Sequence, residues 1–412
     1  MSTQSLESAV PAQAVVLPEH AVDETFQLDR VLLTSTGHFV HDFYTAFLAP
    51  LLPLLIENLS LTTTMAGGLI AFMQWPSIFQ PLVGGVADRT STRYFFLAGP
   101  LLTGIGMSLL LIMPSYGALA FLLVLVGLSS SSLHATGPVI ISRVSGRNLG
   151  RGAGFWMVGG ELGRTVGPVA IVAVVDFLMR QGVPLQVTPL LMIGGMVIST
   201  LLFFQFRGLP RHYTSNAQRA SAPWGAALRG MAPVMLPIAG ILIARTFMTQ
   251  ALMTYLPLFL NREGATLVAA GAGLSLLEAA GVAGSLLGGS LSDKLGRRQV
   301  LAMALGSAAL LMLVFMAVEG WPRIPLLIAL GVTSFAAVPI LMATVLESFP
   351  DNRALANGLY MAVMFLSSSG AAIVMGAVAD SYSLGLAFTL SAVVQLAGLP
   401  LVLLLPKRTG PQ

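Results

Sequence analysis

Long apolar runs recur along almost the whole chain, and they constrain the fold more than any other feature of the sequence. A helix that crosses a bilayer needs about 20 apolar residues, and runs of that length are too many here for the core of a soluble domain. Only 9% of the residues are charged, whereas soluble domains carry about 25%. The sequence therefore predicts an all-α membrane protein with many spanning helices.

Breaks rich in charge, proline or glycine divide the apolar runs into twelve candidate spans. The spans cover residues 31–57, 64–87, 94–113, 117–142, 150–178, 187–206, 231–260, 266–291, 299–318, 324–346, 354–379 and 384–405. An even number of crossings places both termini on one side, and most loop arginines and lysines lie there. Only Arg180, Arg262 and Arg323 lie in loops on the other side. The positive-inside rule therefore predicts cytoplasmic termini in the cell's inner membrane.

The polar ends and the longest polar connection divide the chain into five predicted segments. Residues 1–29 have no basic start followed by an apolar run, so we expect a disordered cytoplasmic tail rather than a signal peptide. An N-terminal six-helix bundle is expected at 30–206, a cytoplasmic linker at 207–230, a C-terminal six-helix bundle at 231–406 and a short cytoplasmic tail at 407–412. The absence of cysteine excludes disulfides and thiolate chemistry.

The two halves of the chain resemble each other when they are compared at an offset of 204 residues. Identical residues then coincide, in the pairs Pro53 and Pro257, Gly67 and Gly271, Asn148 and Asn352, Gly154 and Gly358, and Met157 and Met361. Such repeats predict two pseudo-symmetric bundles that rock around a site at mid-membrane.

Two copies of a loop pattern resemble a known family. The stretch GGSLSDKLGRR at 288–298, and its weaker partner GGVADRTSTR at 84–93, resemble the loop signature of the major facilitator superfamily. The first copy lacks the Gly-Arg-Arg ending. The His-x-x-His-Asp turn in span one, QPLVGGVADR at 80–89, SSLHATGP at 131–138 and MVGGELGRTVGP at 157–168 further resemble the fosmidomycin-resistance branch. The resemblance implies a transporter with twelve transmembrane helices in two six-helix bundles.

The resemblance also implies a conformational latch at the cytoplasmic ends of spans two and eight. A carboxylate there can meet a helix N-terminus or an arginine such as Arg143, and glycines four residues earlier permit close helix packing. The predicted latch residues are Gly84, Asp88, Arg89, Arg143, Gly289, Asp293, Lys294, Arg297 and Arg298. Alternatively, these residues are ordinary loop charges of the positive-inside pattern.

Five charged residues interrupt the apolar spans near their centres. They are Asp42, Glu161, Arg164, Arg245 and Glu278. A charged group at the bilayer centre costs at least ~2.5–3.5 kcal/mol on insertion scales, so its presence needs a reason. Their shared depth predicts the place where a rocking transporter holds its cargo and coupling ion.

Asp42 is predicted to be the main proton-binding residue. A carboxylate in a dry site binds a proton more readily than one in water, and histidine titrates near neutral pH. His38 and His41 lie within one helical turn of Asp42 and are expected on its face. Glu161 and Glu278 are rival proton sites, and the alternative role for Asp42 is hydrogen bonding between helices.

The two arginines have different predicted partners. Arg164 is predicted to take part in substrate binding. It lies three residues after Glu161, so the two can pair, and a purely structural ion pair is the alternative. Arg245 has no carboxylate three or four residues away in its own helix. Its guanidinium suits carboxylate, phosphate or phosphonate, which predicts an anionic or zwitterionic amphiphilic cargo. A structural pairing of Arg245 with Glu278 or Asp42 is the alternative.

Further polar and aromatic residues are candidates for lining the cargo cavity, and helix packing is the alternative for each. They are Tyr44, Gln74, His134, Gln250, Tyr255, Phe335 and Tyr360. At the offset of 204 residues, Arg245 falls on His41 and Glu278 falls on Gln74. Polar groups thus occupy equivalent places in the two halves.

Residues and resemblance together predict a proton-coupled antiporter that exports small drugs or metabolites by alternating access. A proton symporter that imports an anionic metabolite is the alternative, because the same charges serve either direction.

An enzyme is not expected, since the sequence lacks cysteine and the HExxH pattern of metal hydrolases. No cofactor or metal is expected. Because no nucleotide-binding loop is present, the energy is expected from an ion gradient, which the titratable residues predict to be a gradient of protons rather than sodium. The expected partners are cargo, protons and the lipid bilayer, not nucleic acid, and the resemblance implies a monomer.

Overall fold

The computed structural model describes residues 25–207, 224–350 and 353–406, and all regular structure in these ranges is helical. The α-helices are α1 (Leu28–Thr45), α2 (Leu48–Leu59), α3 (Thr63–Gln74), α4 (Gln80–Thr90), α5 (Thr92–Ser108), α6 (Tyr116–Val144), α7 (Leu149–Arg180), α8 (Met192–Phe206), α9 (Trp224–Gln250), α10 (Leu256–Arg262), α11 (Leu267–Leu295), α12 (Arg297–Ala317), α13 (Arg323–Ser348), α14 (Arg353–Ser381) and α15 (Leu384–Gly398). Short 3₁₀ and π segments extend or join several of them. The predicted all-α class is confirmed.

Each predicted span coincides with helical structure to within a few residues. Helices α1 and α2 share the first span, and the π segment Ala251–Tyr255 joins α9 to α10 in the seventh. Within the described ranges, 11 helical segments are long and apolar enough to cross a membrane. The predicted second span is not among them, and there the 3₁₀ segment Trp75–Phe79 separates α3 from α4. The count of twelve therefore stays a prediction.

The predicted tails and linker lie mostly outside the described part of the chain. Residues 1–24, 208–223 and 407–412 belong to this undescribed part. Helix α1 begins at Leu28, just inside the predicted N-terminal tail, and α9 begins at Trp224, inside the predicted linker.

Serine and threonine caps start the helices that follow short loops. Side chains accept a hydrogen bond from a backbone N–H three residues later at Thr62, Ser91, Ser115, Thr266 and Ser383. Each cap satisfies one of the amide groups that the first helical turn leaves without a partner. Such caps allow sharp reversals between helices in a setting where unsatisfied backbone groups are costly.

Two long helix pairs join the N-terminal half of the chain to the C-terminal half, because α3 packs against α14 and α7 against α11. The first contact is close: a Cβ atom at Gly67 would lie 2.3 Å from the carbonyl oxygen of Ala372. Buried apolar residues otherwise cluster mainly within each half. Helix α7 also packs along α1, so it connects α1 of the first half with α11 of the second.

Candidate functional site

A stripe of small residues on α7 faces α1, and this contact positions the site. A Cβ atom at Gly163 would lie 2.4 Å from the carbonyl oxygen of Phe39 and 3.1 Å from Cβ of Asp42. No larger residue fits at this distance, so glycine lets the two helices touch. The contact brings Asp42 on α1 against the part of α7 that carries Arg164.

Asp42 lies among cationic and titratable side chains, and only 3% of its surface is exposed. Its Oδ2 is 3.0 Å from Arg164 Nη1 and 3.4 Å from His38 Nε2. Its Oδ1 is 3.8 Å from His134 Nε2 on α6. Arg164 also pairs through Nη2 with Glu161 Oε1, one turn earlier on α7. The predicted pair within α7 therefore exists, but its guanidinium is shared with a carboxylate from another helix. We call these five residues the Arg164 network.

Backbone carbonyls determine how the two histidines of the Arg164 network face Asp42. His38 Nδ1 lies 2.8 Å from the carbonyl oxygen of Trp156, and His134 Nδ1 lies 2.9 Å from that of Ser130. A carbonyl oxygen only accepts, so each ring donates through Nδ1–H and turns Nε2 toward Asp42. His38 also stacks on the Trp156 ring, with 3.9 Å between the centroids.

His41 points to a different helix from His38. Its Nδ1 lies 3.0 Å from Thr103 Oγ1 on α5, and that hydroxyl lies 3.0 Å from Ser129 Oγ on α6. Successive residues of a helix are rotated by about 100°, so His41, the residue just before Asp42, faces another way. His38 is one full turn from Asp42 and shares its face. The expectation that both histidines lie on that face is met by His38 alone.

The Arg164 network is partly exposed. The exposed fraction of the side chain is 24% for Glu161, 35% for Arg164 and 33% for His134. Asp42 and His38 lie buried behind them. A small molecule that reached this surface would meet the guanidinium directly.

Three members of the Arg164 network also have the spacing of a metal site, since the ligand atoms of His38, Asp42 and His134 all lie within 4.8 Å of one another. Imidazole nitrogen and carboxylate oxygen are ligands that Zn²⁺ and similar ions accept. However, Arg164 already neutralises Asp42 at 3.0 Å, and its fixed positive charge opposes a second cation at the same carboxylate. The cluster therefore favours ion pairing and proton binding over a metal ion.

Glu278 approaches the Arg164 network from the other half of the chain. It lies on α11, which packs against α7, and only 3% of its surface is exposed. The charged groups that act on it are Arg164, Glu161 and Asp42. Nevertheless, no described residue forms an ion pair with Glu278, and its Oε2 has no hydrogen-bond partner among the described residues.

Arg245 is separate from these carboxylates. It lies on α9 and donates from Nη2 to the carbonyl oxygen of Ser334 on α13, at 3.2 Å. Its Nε has no hydrogen-bond partner among the described residues. The alternative pairing with Glu278 or Asp42 is not found within the described ranges. The titratable side chain that influences Arg245 electrostatically is that of Tyr360.

The predicted cavity residues of the N-terminal half differ in their surroundings. Tyr44 is 4% exposed, donates to the carbonyl oxygen of Leu191 and accepts from the Gly195 N–H at 3.2 Å. This tyrosine therefore fastens α1 to the start of α8. Gln74 is half-buried at the end of α3, and its Oε1 has no partner among the described residues.

The predicted cavity residues of the C-terminal half are largely enclosed by helices. Tyr255 is fully buried and donates to a backbone carbonyl of α14 at 2.5 Å. Gln250 donates to a serine of α14, and Tyr360 is 2% exposed. The ring of Phe335 lies against α11 at Gly281, where a Cβ atom would be 2.7 Å from it.

The second copy of the predicted latch forms an ion-pair cluster. Arg297, at the start of α12, lies 2.7 Å from Asp293 Oδ1 and 2.8 Å from Glu347 Oε1 on α13.

The other predicted latch residues of this copy lie outside the ion-pair cluster. Lys294 is exposed, and Arg298 donates to a carbonyl of the last 3₁₀ segment at 2.5 Å. Gly289 faces α13, where a Cβ atom would lie 3.9 Å from a proline ring. Glu347 was not predicted from the sequence, although at the offset of 204 residues it falls on Arg143, a predicted latch residue.

The first copy of the latch is only partly described. A Cβ atom at Gly84 on α4 would lie 3.6 Å from Ala135 on α6, and Arg143 lies near the end of α6. The side chains of Asp88 and Arg89 lie outside the described part of the structure.

A further acidic residue, Asp380, was not predicted from the sequence as a functional residue. It lies at the end of α14 and holds the start of α3, where its Oδ1 accepts from the Thr63 N–H at 2.7 Å. Its Oδ2 accepts from the N–H and hydroxyl of Thr64 at 2.8 and 2.6 Å. The signal was present, since this is an acidic residue in the last turn of an apolar span. Its partners lie more than half the chain away and left no trace in the sequence.

Known proteins resemble this chain in sequence and in fold. The Escherichia coli strain K12 protein named fosmidomycin resistance protein is 25% identical over 382 residues, which cover 90% of this chain and 91% of that protein. The fold resembles a bacterial homolog of the human lysosomal transporter Spinster in an inward-facing, occupied conformation, with a TM-score of 0.76, 15% identity and coverage of 92% and 97%. It also resembles a D-xylose–proton symporter, with a TM-score of 0.70, 14% identity and coverage of 94% and 100%.

The family model of the Major Facilitator Superfamily matches residues 34–350 and 280–412. These matches include α1, α7 and α11, the helices that carry the charged site. This protein is therefore a multi-pass membrane protein that belongs to the major facilitator superfamily of transporters.

Proposed function

We propose that this protein is a proton-coupled secondary transporter that exports small anionic or amphiphilic molecules by alternating access. The observation that carries the proposal is the Arg164 network, a charged cluster on otherwise apolar helices. Charged groups at bilayer depth are costly and are usually kept for function. Carboxylates and imidazoles held together at such a place suit the binding and release of protons.

The architecture that we propose has twelve transmembrane helices in two six-helix bundles, with both termini on the cytoplasmic side of the inner membrane. In this arrangement α3 and α4, with the 3₁₀ segment between them, form the second span. Pro76 at the start of that segment lacks a backbone N–H, which accounts for the change in helix type. The protein acts as a monomer without a cofactor, and the proton gradient supplies the energy.

Arg245 is the proposed contact for the negative charge of the cargo. Its guanidinium has a backbone carbonyl as partner and no carboxylate among the described residues, so a cargo anion can complete its hydrogen bonding. A guanidinium binds carboxylate, phosphate and phosphonate through paired hydrogen bonds. The name of the Escherichia coli relative, which refers to fosmidomycin resistance, supports export as the direction.

The two ends of the protein differ in the proposed cycle. Asp380 on α14 holds the start of α3, and this contact closes the end opposite the cytoplasm. At the cytoplasmic end, Arg297 joins the end of α11 to α13. Opening of the outer end requires that the bonds of Asp380 to Thr63 and Thr64 break, while the bundles rock about the Arg164 network.

Everted membrane vesicles provide the test. Respiration acidifies their interior, and a pH-sensitive dye reports this acidity. The compounds to be added to the vesicles are fosmidomycin, other phosphonates, carboxylates and uncharged amphiphiles. At least one anionic compound should dissipate the pH gradient in vesicles with intact protein but not in vesicles with the Asp42→Asn variant.

A Gly154→Ala variant is the matched control for expression, because a Cβ atom at Gly154 meets nothing within 4 Å. It should behave as the intact protein does. The proposal is wrong if no compound has an effect. If Asp42→Asn vesicles respond as intact vesicles do, the Arg164 network does not carry the coupling as proposed. Uptake of the active compound into intact cells, rather than its exclusion, would favour the importing symporter.

A further inference from the structure

We infer that Glu278 is the carboxyl group that binds the transported proton, and that it competes for Arg164 when the proton leaves. The inference rests on the proposed function, because it assigns one residue of the same site to proton binding. It selects one of the alternatives that the sequence left open.

Of the buried carboxyl groups at the site, Glu278 is the one with no ion-pair partner among the described residues. Only 3% of its surface is exposed, and no described residue lies within ion-pair distance of it. Its Oε2 is buried without a hydrogen bond in the described structure. Asp42, which is equally buried, is bonded to Arg164 at 3.0 Å and faces His38 at 3.4 Å. An ionised carboxylate is much less costly to bury with such partners than without them.

The register of α11 on α7 places Glu278 opposite Arg164. Ser275 Oγ accepts from the Val169 N–H at 3.2 Å, and a Cβ atom at Gly271 would lie 2.6 Å from Val172. The two helices are thus antiparallel, and one turn along α11 from Ser275 corresponds to one turn back along α7 from Val169. Glu278 therefore faces the turn of α7 that carries Arg164.

Three carboxyl groups interact electrostatically with a single guanidinium, that of Arg164. Arg164 interacts with Asp42, Glu161 and Glu278, but it forms ion pairs with the first two. If all three were ionised, negative charge would exceed positive charge at a place where water is scarce. A proton on the unpaired group, Glu278, reduces this imbalance at the lowest cost.

The other helices around Glu278 offer no substitute for Arg164. Helices α2, α10, α12 and α13 also pack against α11, and their charged residues lie only at or near helix ends. These residues are Glu57, Arg262, Arg297, Arg298, Arg323 and Glu347. Arg164 is therefore the cation that an ionised Glu278 can recruit.

The proton-transfer step follows from this geometry. The O–H bond of the Glu278 carboxyl group breaks, its electron pair stays on the carboxylate, and the proton passes to water on the side that is open. The new carboxylate competes with Asp42 and Glu161 for Arg164. Because Glu278 and Arg164 lie on opposite halves of the chain, this competition changes the contact between α7 and α11 and links proton release to movement of the halves.

Infrared spectroscopy of the purified full-length protein tests the inference without any cargo. A protonated buried carboxyl group gives a C=O band that is separate from that of a carboxylate, and the band can be titrated with pH. We expect such a band in the intact protein and its loss in Glu278→Gln. In Asp42→Asn the band should remain, with its midpoint moved to lower pH, because the freed Arg164 stabilises the Glu278 carboxylate.

The opposite pattern would overturn the inference. A band that persists in Glu278→Gln and disappears in Asp42→Asn would assign the proton to Asp42, and a band lost only in Glu161→Gln would assign it to Glu161. No titrating band in the intact protein would also overturn it. If Glu278→Gln does not fold, Glu278→Asp should retain the band with a displaced midpoint, and an unchanged midpoint would contradict the assignment.

These outcomes are independent of the transport assay. A protein that dissipates the pH gradient with a compound but keeps its band in Glu278→Gln contradicts this inference alone. A protein with the expected bands that transports nothing contradicts the proposed function instead.

Discussion

The surroundings of Arg164 and Arg245 differ in what balances the positive charge. Arg164 is bonded to Asp42 from α1 and to Glu161 from its own helix. Arg245 is bonded to the backbone carbonyl of Ser334 and has no carboxylate partner among the described residues. Both arginines belong to helices whose other residues are mainly apolar.

The difference indicates two separate roles. The partners of Arg164 are built into the protein, so its charge is already used to hold α1, α7 and the carboxylates together. Arg245 keeps hydrogen-bonding capacity, since its Nε has no partner in the described structure. An anionic cargo can therefore bind at Arg245 without disrupting an existing ion pair. Changes at Arg164 should affect the whole protein, whereas changes at Arg245 should affect only some cargoes.

Replacement of Arg164 by alanine should have the largest effect. The variant leaves Asp42 and Glu161 without their cation, and breaking a buried pair costs about 3 kcal/mol at the lower end of measured values. We take the lower end because Arg164 keeps 35% of its side chain exposed. The melting temperature in detergent should fall, and pH-gradient dissipation in vesicles should be abolished.

Arg164→Lys is the control for charge. It keeps the positive charge but loses the two-pronged geometry, so we expect most of the thermal stability and only part of the transport. Normal transport by Arg164→Ala would show that the two arginines do not differ as described.

Replacement of Arg245 by alanine should have a smaller and selective effect. Charge-assisted hydrogen bonds contribute about 1.5–3 kcal/mol, so transport of anionic compounds should fall roughly 10- to 100-fold. Uncharged compounds should be transported at unchanged rates, and the melting temperature should change little. Competition assays with matched anionic and neutral compounds measure the ratio, and equal losses for both classes would remove the proposed cargo role.

Replacement of Gly163 by alanine should weaken the Arg164 network by separating the helices that carry it. The new Cβ atom would lie 2.4 Å from the Phe39 carbonyl oxygen, so α1 and α7 must separate. Overpacking of this kind costs about 1–3 kcal/mol, and transport should fall by about tenfold through loss of the Asp42–Arg164 contact. The matched control on the same helix is Gly154→Ala, where the Cβ atom is unobstructed. Equal behaviour of the two variants would show that helix contact does not position the network.

The helices could be predicted from the sequence because hydropathy is a local property. Each span needs only its own apolar length, so most predicted bounds lie within a few residues of the helical segments. The second span is the exception, because a 3₁₀ segment interrupts it. Asp42, Glu161 and Arg164 could be singled out because a charge in an apolar run is costly wherever it points. The turn of His41 toward Thr103 was also within reach of helical geometry, since only His38 lies one full turn from Asp42.

Contacts between distant parts of the chain could not be predicted in this way. The bonds of Asp380 to Thr63 and Thr64, and the approach of His134 to Asp42, depend on which face each helix turns to its neighbours. The repeat at 204 residues relates equivalent positions but does not give these rotations. Glu347 is an example of what the repeat cannot predict. The repeat aligns it with Arg143, but only the fold shows that it lies beside Arg297.

The most direct test of alternating access about the Arg164 network is a pair of distance measurements by pulsed electron paramagnetic resonance. The chain has no native cysteine, so spin labels can be attached at introduced cysteines only. One pair replaces Asn58 and Tyr382 at the outer end, and another replaces Leu149 and Leu295 at the cytoplasmic end; all four positions are exposed. We expect lower pH or an active compound to change the two distances in opposite directions, and we expect Arg164→Ala to abolish this response. Alternating access about the Arg164 network would be wrong if both distances stayed constant. It would also be wrong if the distances changed in Arg164→Ala as much as they do in the intact protein.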